Sequence, residues 1–130
     1  MRIGELADQA GTSTKAIRYY EQIGILGPPA RTPSGYRSYD QTALGRLEFV
    51  RAAQALGLTL GEIRQIVAFR DHGQAPCTHV SQLLRRHASD LERRIRELQQ
   101  LRGELRQLAE RASTLDPAHC PPERVCHIIG

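Results

Sequence analysis

Tryptophan is absent from this chain, phenylalanine occurs twice and methionine once. Lysine is almost missing as well: Lys15 is the only one among 18 basic residues, the rest being arginine. Aromatics make up 5% of the 130 residues, and residues 78–130 contain none. A large aromatic-lined pocket for an organic ligand is therefore not expected. No apolar run approaches the roughly 18 residues needed to cross a bilayer. The start, Met1-Arg2-Ile3-Gly4-Glu5, has an acid and no apolar stretch, so no secretory signal peptide is expected. Three cysteines are too few, and odd in number, for a secreted disulfide scaffold. A reducing cytoplasm with free thiols, open to metal or redox chemistry, is the expected setting. No phosphate loop and no nucleophile–base set occurs, so an enzyme is not expected. The length suits one domain, or a small domain with an extension. The formal charge of +4 permits a polyanionic partner without requiring one.

Patterning in the first half predicts short helices. Ile3, Leu6, Ala7 and Ala10 share one helical face. Gly11 ends that helix, and Thr12 or Ser13 caps a second over about 14–23. Ala16, Ile17 and Tyr20 form its inner face, with Tyr20 the tyrosine expected in the core. Two short helices joined by a tight glycine turn make a helix-turn-helix pattern. Pro33-Ser34-Gly35 is turn chemistry and predicts a small exposed hairpin. Asp40 caps a third helix over about 41–56. Thr59 opens a fourth over about 60–71, and Glu62 three places on completes a capping box.

The stretch over about 78–115 is the most periodic. Leu84, Ala88, Leu91, Ile95 and Leu98 alternate in steps of four and three, and Leu101, Leu105, Leu108, Ala112 and Leu115 continue the seam. The join at 95–98–101 has two threes in succession, a stammer that overwinds a coiled coil locally. Glu92–Arg96 and Arg93–Glu97 are spaced as helical ion pairs. A seam this long cannot be covered within so short a chain, so a second copy is expected to cover it, forming a homodimeric coiled coil. The expected domains are residues 1–76, a helix-turn-helix unit with connecting helices; 77–116, a dimerisation helix; and 117–130, a loop and tail.

Lys15, Arg18 and Tyr19 share one face of the second helix, and Arg31, Tyr36 and Arg37 flank the hairpin turn. Arginine and lysine neutralise phosphates and read guanine edges, and tyrosine hydroxyls add phosphate contacts. The competing reading makes the tyrosines core residues and the arginines a solvated face. All six are candidate DNA contacts.

These residues carry a resemblance. Ile3-Gly4-Glu5-Leu6-Ala7, Ala16-Ile17-Arg18-Tyr19-Tyr20-Glu21, Gly24-Ile25-Leu26 and Gly35-Tyr36-Arg37-Ser38-Tyr39 closely resemble the DNA-binding domain of the MerR family of bacterial transcription regulators. The likeness continues through Leu47-Glu48-Phe49-Val50-Arg51, Ala55-Leu56-Gly57 and Leu60-Gly61-Glu62-Ile63. It implies a mainly helical fold: a winged helix-turn-helix, then a long helix forming an antiparallel coiled-coil dimer, then a short metal-binding loop. It also implies binding to a palindromic promoter operator, with bending and untwisting of the DNA when the effector binds. RNA polymerase then acts at the same promoter. DNA contacts at Arg18, Tyr19, Tyr36 and Arg37 are implied as well.

The cysteines flank the long helix, Cys77 before it and Cys120 and Cys126 after it. A straight helix of this length spans about 57 Å, so Cys77 cannot meet the other two within one chain. In an antiparallel dimer, Cys77 of one copy would lie beside Cys120 and Cys126 of the other, giving two sites. The competing reading is three unrelated free thiols. Thiolates suit soft and borderline metals. Within the MerR resemblance the tail pair, with Cys126-His127-Ile128-Ile129, is similar to the metal-binding loop. A cysteine at 77 resembles the branch that senses divalent ions. Three thiolates suit mercury or lead; a fourth ligand suits zinc or cadmium, and His119 and His127 are candidates for it. His72, His79 and His87 are expected in solvent. The expected function is a metal-responsive regulator activating resistance or efflux genes. Thiol-based redox sensing and small-molecule sensing by the same kind of regulator are the alternatives, and an iron–sulfur cluster would lack its usual fourth cysteine.

Overall fold

A computed structural model describes residues 1–130. Five helices and one two-stranded hairpin follow in order: α1 (Ile3–Ala10), α2 (Thr14–Gln22), β1 (Ala30–Arg31), β2 (Arg37–Ser38), α3 (Gln41–Ala55), α4 (Leu60–Asp71) and α5 (Cys77–Thr114). A short 3-10 turn at Pro117–His119 comes last. No helix is long and apolar enough to cross a membrane.

Local chemistry sets each boundary. Gly11 closes α1 at φ 66°, and its N–H returns to the Ala7 carbonyl. A side chain there would be strained by that φ, and its Cβ would also meet Arg51 Nη1 at 2.6 Å. The left-handed backbone is what requires glycine at this helix-turn-helix corner, since the flexible end of Arg51 can move aside. Of the two candidate caps for α2, the structure uses Ser13, whose Oγ accepts from Ala16 N at 3.1 Å. Asp40 Oδ1 accepts from Thr42 N and Ala43 N at the start of α3. Both halves of the Thr59–Glu62 capping box form, at 3.2 and 2.9 Å.

The chain divides into two units, Met1–Leu83 and Leu84–Gly130. The first holds two apolar clusters. Leu6, Ala7, Ala10, Ile17, Leu26, Tyr39 and Leu47 form one; Ile25, Val50, Ala53, Leu58, Ile63, Ile66, Val67 and Leu83 form the other. Tyr20 packs against both but is only partly buried. The tyrosine in the core is instead Tyr39, 6% exposed. Its backbone exchanges hydrogen bonds with Met1, Tyr39 N donating to Met1 O and Met1 N donating to Tyr39 O. This pairing tucks the end of the hairpin against the first residues, a long-range contact with no periodic signature. Arg46 adds a polar tie: Nη1 donates to the Ile25 carbonyl at 3.0 Å, and Nη2 pairs with Asp71. That guanidinium holds the Asp71 carboxyl below its ordinary value.

In the second unit α5 presents its seam to solvent. Leu84, Leu91, Ile95, Leu98, Leu101 and Leu105 are all 40% exposed or more. Arg93 pairs with Asp90 and with Glu97 along the helix.

Candidate nucleic-acid interface and thiol sites

Ile17 is fully buried and fixes which way α2 turns. The opposite face therefore carries Lys15, Arg18 and Tyr19, all exposed. The hairpin tip is closed by Thr32: its N–H donates to Tyr36 O, and its Oγ1 accepts from Tyr36 N. Gly35 takes φ 85°, and Arg31 Nη1 donates to its carbonyl at 3.0 Å. Tyr36 is left 55% exposed at the tip.

Glu21 joins the hairpin to α2. Tyr39 Oη donates to the Glu21 carboxylate, and Arg37 Nη2 lies 3.7 Å from its other oxygen. Burial, then the Glu21 hydrogen bond and charge, push the Tyr39 phenol up to about 12, against the opposing charges of Arg37 and Arg18. An open groove of about 590 Å³ lies between these elements, lined by Arg2, Arg18, Arg31, Tyr36 and Arg37, with Glu5 the one acid on its wall. Four guanidiniums facing one open groove make a surface for a polyanion. Of the six candidate contacts, the structure brings Arg18, Arg31, Tyr36 and Arg37 to this groove. Lys15 and Tyr19 stand on the exposed face of α2. Sequence patterning marks none of Arg2, Glu21 and Tyr39 as a site residue. Arg2 belongs to no motif, and Glu21 and Tyr39 matter through a contact 18 residues apart in sequence.

Cys77, Cys120 and Cys126 are free, the first exposed and the others half-buried. Cys77 is the first residue of α5. The tail is a run of turns: Asp116 Oδ1 accepts from Ala118 N, Cys120 N donates to Pro117 O, and Gly130 N donates to Cys126 O. His127 is half-buried, and His119 is exposed with Nδ1 3.7 Å from Asp116. No group of three or more metal-binding side chains forms within the single chain. His79 departs from the expectation of a solvated side chain: it is half-buried. Its ring lies 4.9 Å from the Phe69 ring, and Nε2 is shut off from water without a partner. Residues two apart on a helix point to nearly opposite sides, so His79 turns away from Cys77. His72 is exposed, its Nδ1 2.7 Å from the Ala68 carbonyl, and His87 is half-buried.

Residues 1–69 match the MerR HTH family of regulatory proteins, and residues 44–108 match the MerR DNA-binding family. The chain belongs to the MerR family. It is a DNA-binding transcription regulator and not an enzyme. Among MerR-family relatives, the mercuric resistance operon regulatory protein of Bacillus cereus is 38% identical over 92% of each chain. The regulator CueR of Salmonella typhimurium is 36% identical over 93% of this chain and 88% of that one. The transcription regulator PbrR691 of Ralstonia metallidurans, solved in complex with lead(II), matches with a TM-score of 0.78 and 36% identity, covering 99% of this chain and 96% of that one. The MerR regulator of Bacillus megaterium, solved with mercury(II), matches at 0.64 and 32% identity, covering 98% and 92%. MerR-family regulators bind promoter DNA as dimers.

Proposed function

We propose that this MerR-family chain is a metal-responsive activator working in the reducing cytoplasm. Two copies associate through the exposed α5 seam as an antiparallel coiled coil, with residues 77–116 the dimerisation helix and 117–130 the metal-binding tail. Lys15, Arg18 and Tyr19 on α2, with Arg31, Tyr36 and Arg37 on the hairpin, contact a palindromic operator. Cys120 and Cys126 of one chain and Cys77 of the partner subunit hold a divalent soft ion such as mercury, lead, cadmium or zinc, two sites per dimer.

The observation that carries this reading is the placement of the thiols. One lies at the first residue of a 38-residue helix and two lie just past its end. At roughly 1.5 Å per residue that helix is about 57 Å long, and no three-ligand group forms in one chain. A second, antiparallel copy supplies the missing end. The donor set, thiolates with His119 and His127 nearby, fits soft ions. Relatives named for mercury and heavy metals, and solved neighbours holding lead(II) and mercury(II), support it.

A bound ion would tie the end of one chain to the start of the other. Response requires that this tie favour one dimer geometry over another by a differential free energy. The DNA-binding units would pass that difference to the promoter as deformation, read indirectly by RNA polymerase. Genes for metal resistance or efflux are the expected targets.

The test is a titration of reduced protein with mercury, lead, cadmium and zinc, followed by thiolate-to-metal absorbance. Cys77→Ser, Cys120→Ser and Cys126→Ser should each weaken the band. Mixing Cys77→Ser with the Cys120→Ser/Cys126→Ser double variant should restore one complete site per heterodimer. A site left intact by Cys77→Ser would refute its construction from two chains.

A further inference from the structure

Arg2 shares the groove of Arg18, Arg31 and Arg37. Its guanidinium carbon sits 4.5 Å from the centroid of the Tyr36 ring. The residue is exposed and has no carboxylate partner, whereas Arg37 is held by Glu21 and Arg31 by the Gly35 carbonyl. A guanidinium lying over an aromatic face keeps its N–H edge free. That edge can donate two parallel hydrogen bonds to a phosphate.

We propose that Arg2 is a DNA-backbone contact, oriented by the ring of Tyr36, and so adds a phosphate clamp on the α1 side of the hairpin. The proposal rests on DNA binding by α2 and the hairpin. Arg2 precedes α1 and is off the exposed α2 face that carries Lys15 and Tyr19. A base edge is read by the element that enters the groove, whereas a cation on the flank meets the sugar-phosphate rail. Tyr36 then acts twice, through its hydroxyl and as the platform that stiffens Arg2. Arginine suits this role better than lysine, because an ammonium offers neither a flat face to stack nor a two-pronged donor edge.

The test uses the full chain and a fluorescent duplex selected by the wild-type protein from random-sequence DNA, with a scrambled duplex beside it. Arg2→Ala should weaken both by a similar factor, about tenfold at moderate salt, and should lower the slope of log affinity against log salt by about one per protomer. Arg2→Lys should keep the slope and lose part of the affinity. Tyr36→Leu should weaken binding further in wild type than in the Arg2→Ala background, since the platform has nothing left to orient. Thermal melting followed by circular dichroism should be unchanged by Arg2→Ala. An unaltered salt slope in Arg2→Ala would overturn the proposal, as would a loss confined to the selected duplex. A wild-type protein that selects no duplex would instead overturn the underlying assignment of the α2 and hairpin residues.

Discussion

Residues 1–83 and residues 84–130 treat their large aliphatic side chains in opposite ways. In the first unit Leu6, Ile17, Ile25 and Ile63 are 3% exposed or less, closed in by helices of the same chain. In the second, Leu91, Ile95 and Leu98 are each more than half exposed. The residue types are the same, and so is the helical spacing. What differs is whether the chain turns back on itself. Gly11, Gly24, Gly35, Gly57 and Gly73 all take positive φ at the corners of the first unit. α5 runs for 38 residues without such a corner. One unit makes its own partners, and the other leaves a surface that only another molecule can cover.

The contrast can be broken most forcefully in the core. Ile63→Ala should cost about 2–5 kcal/mol, because the neighbours of a fully buried side chain collapse only partly into the space it leaves. The check is a urea melt followed by circular dichroism, since there is no tryptophan to report. The same change at Leu98 should barely alter the melting of a monomer. A charge at that position, Leu98→Glu, should instead raise the dimer dissociation constant on the order of 100-fold, since an ionised carboxylate would enter an apolar seam. Sedimentation or light scattering across a micromolar dilution series measures it, and a wild type that is monomeric there would remove the reading of the second unit.

Gly11→Ala probes a corner. It should cost about 1–2 kcal/mol from the left-handed backbone alone, before Arg51 has to move aside. Stability equal to wild type would mean that the turn rearranges freely.

The smallest effect concerns pH. The Tyr39 phenol is held up to about 12 from 10.0. A raised value means that the folded chain keeps this proton more tightly than the unfolded one. The contribution is therefore complete below pH 10 and is lost as pH rises through 12. Urea midpoints should fall over that window, and Tyr39→Phe should remove part of the fall. Residues 84–130 contain no tyrosine, so the alkaline loss belongs to the first unit. An identical fall in the variant would assign the loss to other groups.

Much of the fold is legible in the sequence. The limits of α1 and α4, the Asp40 and Thr59 caps and the hairpin at Pro33-Ser34-Gly35 follow from interactions within three or four residues, which the local sequence contains entirely. The basic face of α2 was legible for the same reason, since Lys15, Arg18 and Tyr19 fall on one side by helical spacing. Three things were not. Tyr39, rather than Tyr20, lies in the core because the chain around it pairs with Met1 across 38 residues. His79 is half-buried because α5 begins against Phe69 of α4. Arg2 reaches the groove because the hairpin tip folds over it.

Sequence by itself therefore determined the elements, their caps, the basic face and the positions of three thiols along the chain, since each depends on spacing and local hydrogen bonding. Tertiary structure alone decided which tyrosine is buried, which arginines share one groove and which histidine has a ring nitrogen shut off from water. Those outcomes depend on surfaces brought together from distant parts of the chain, and no periodicity records where they will meet.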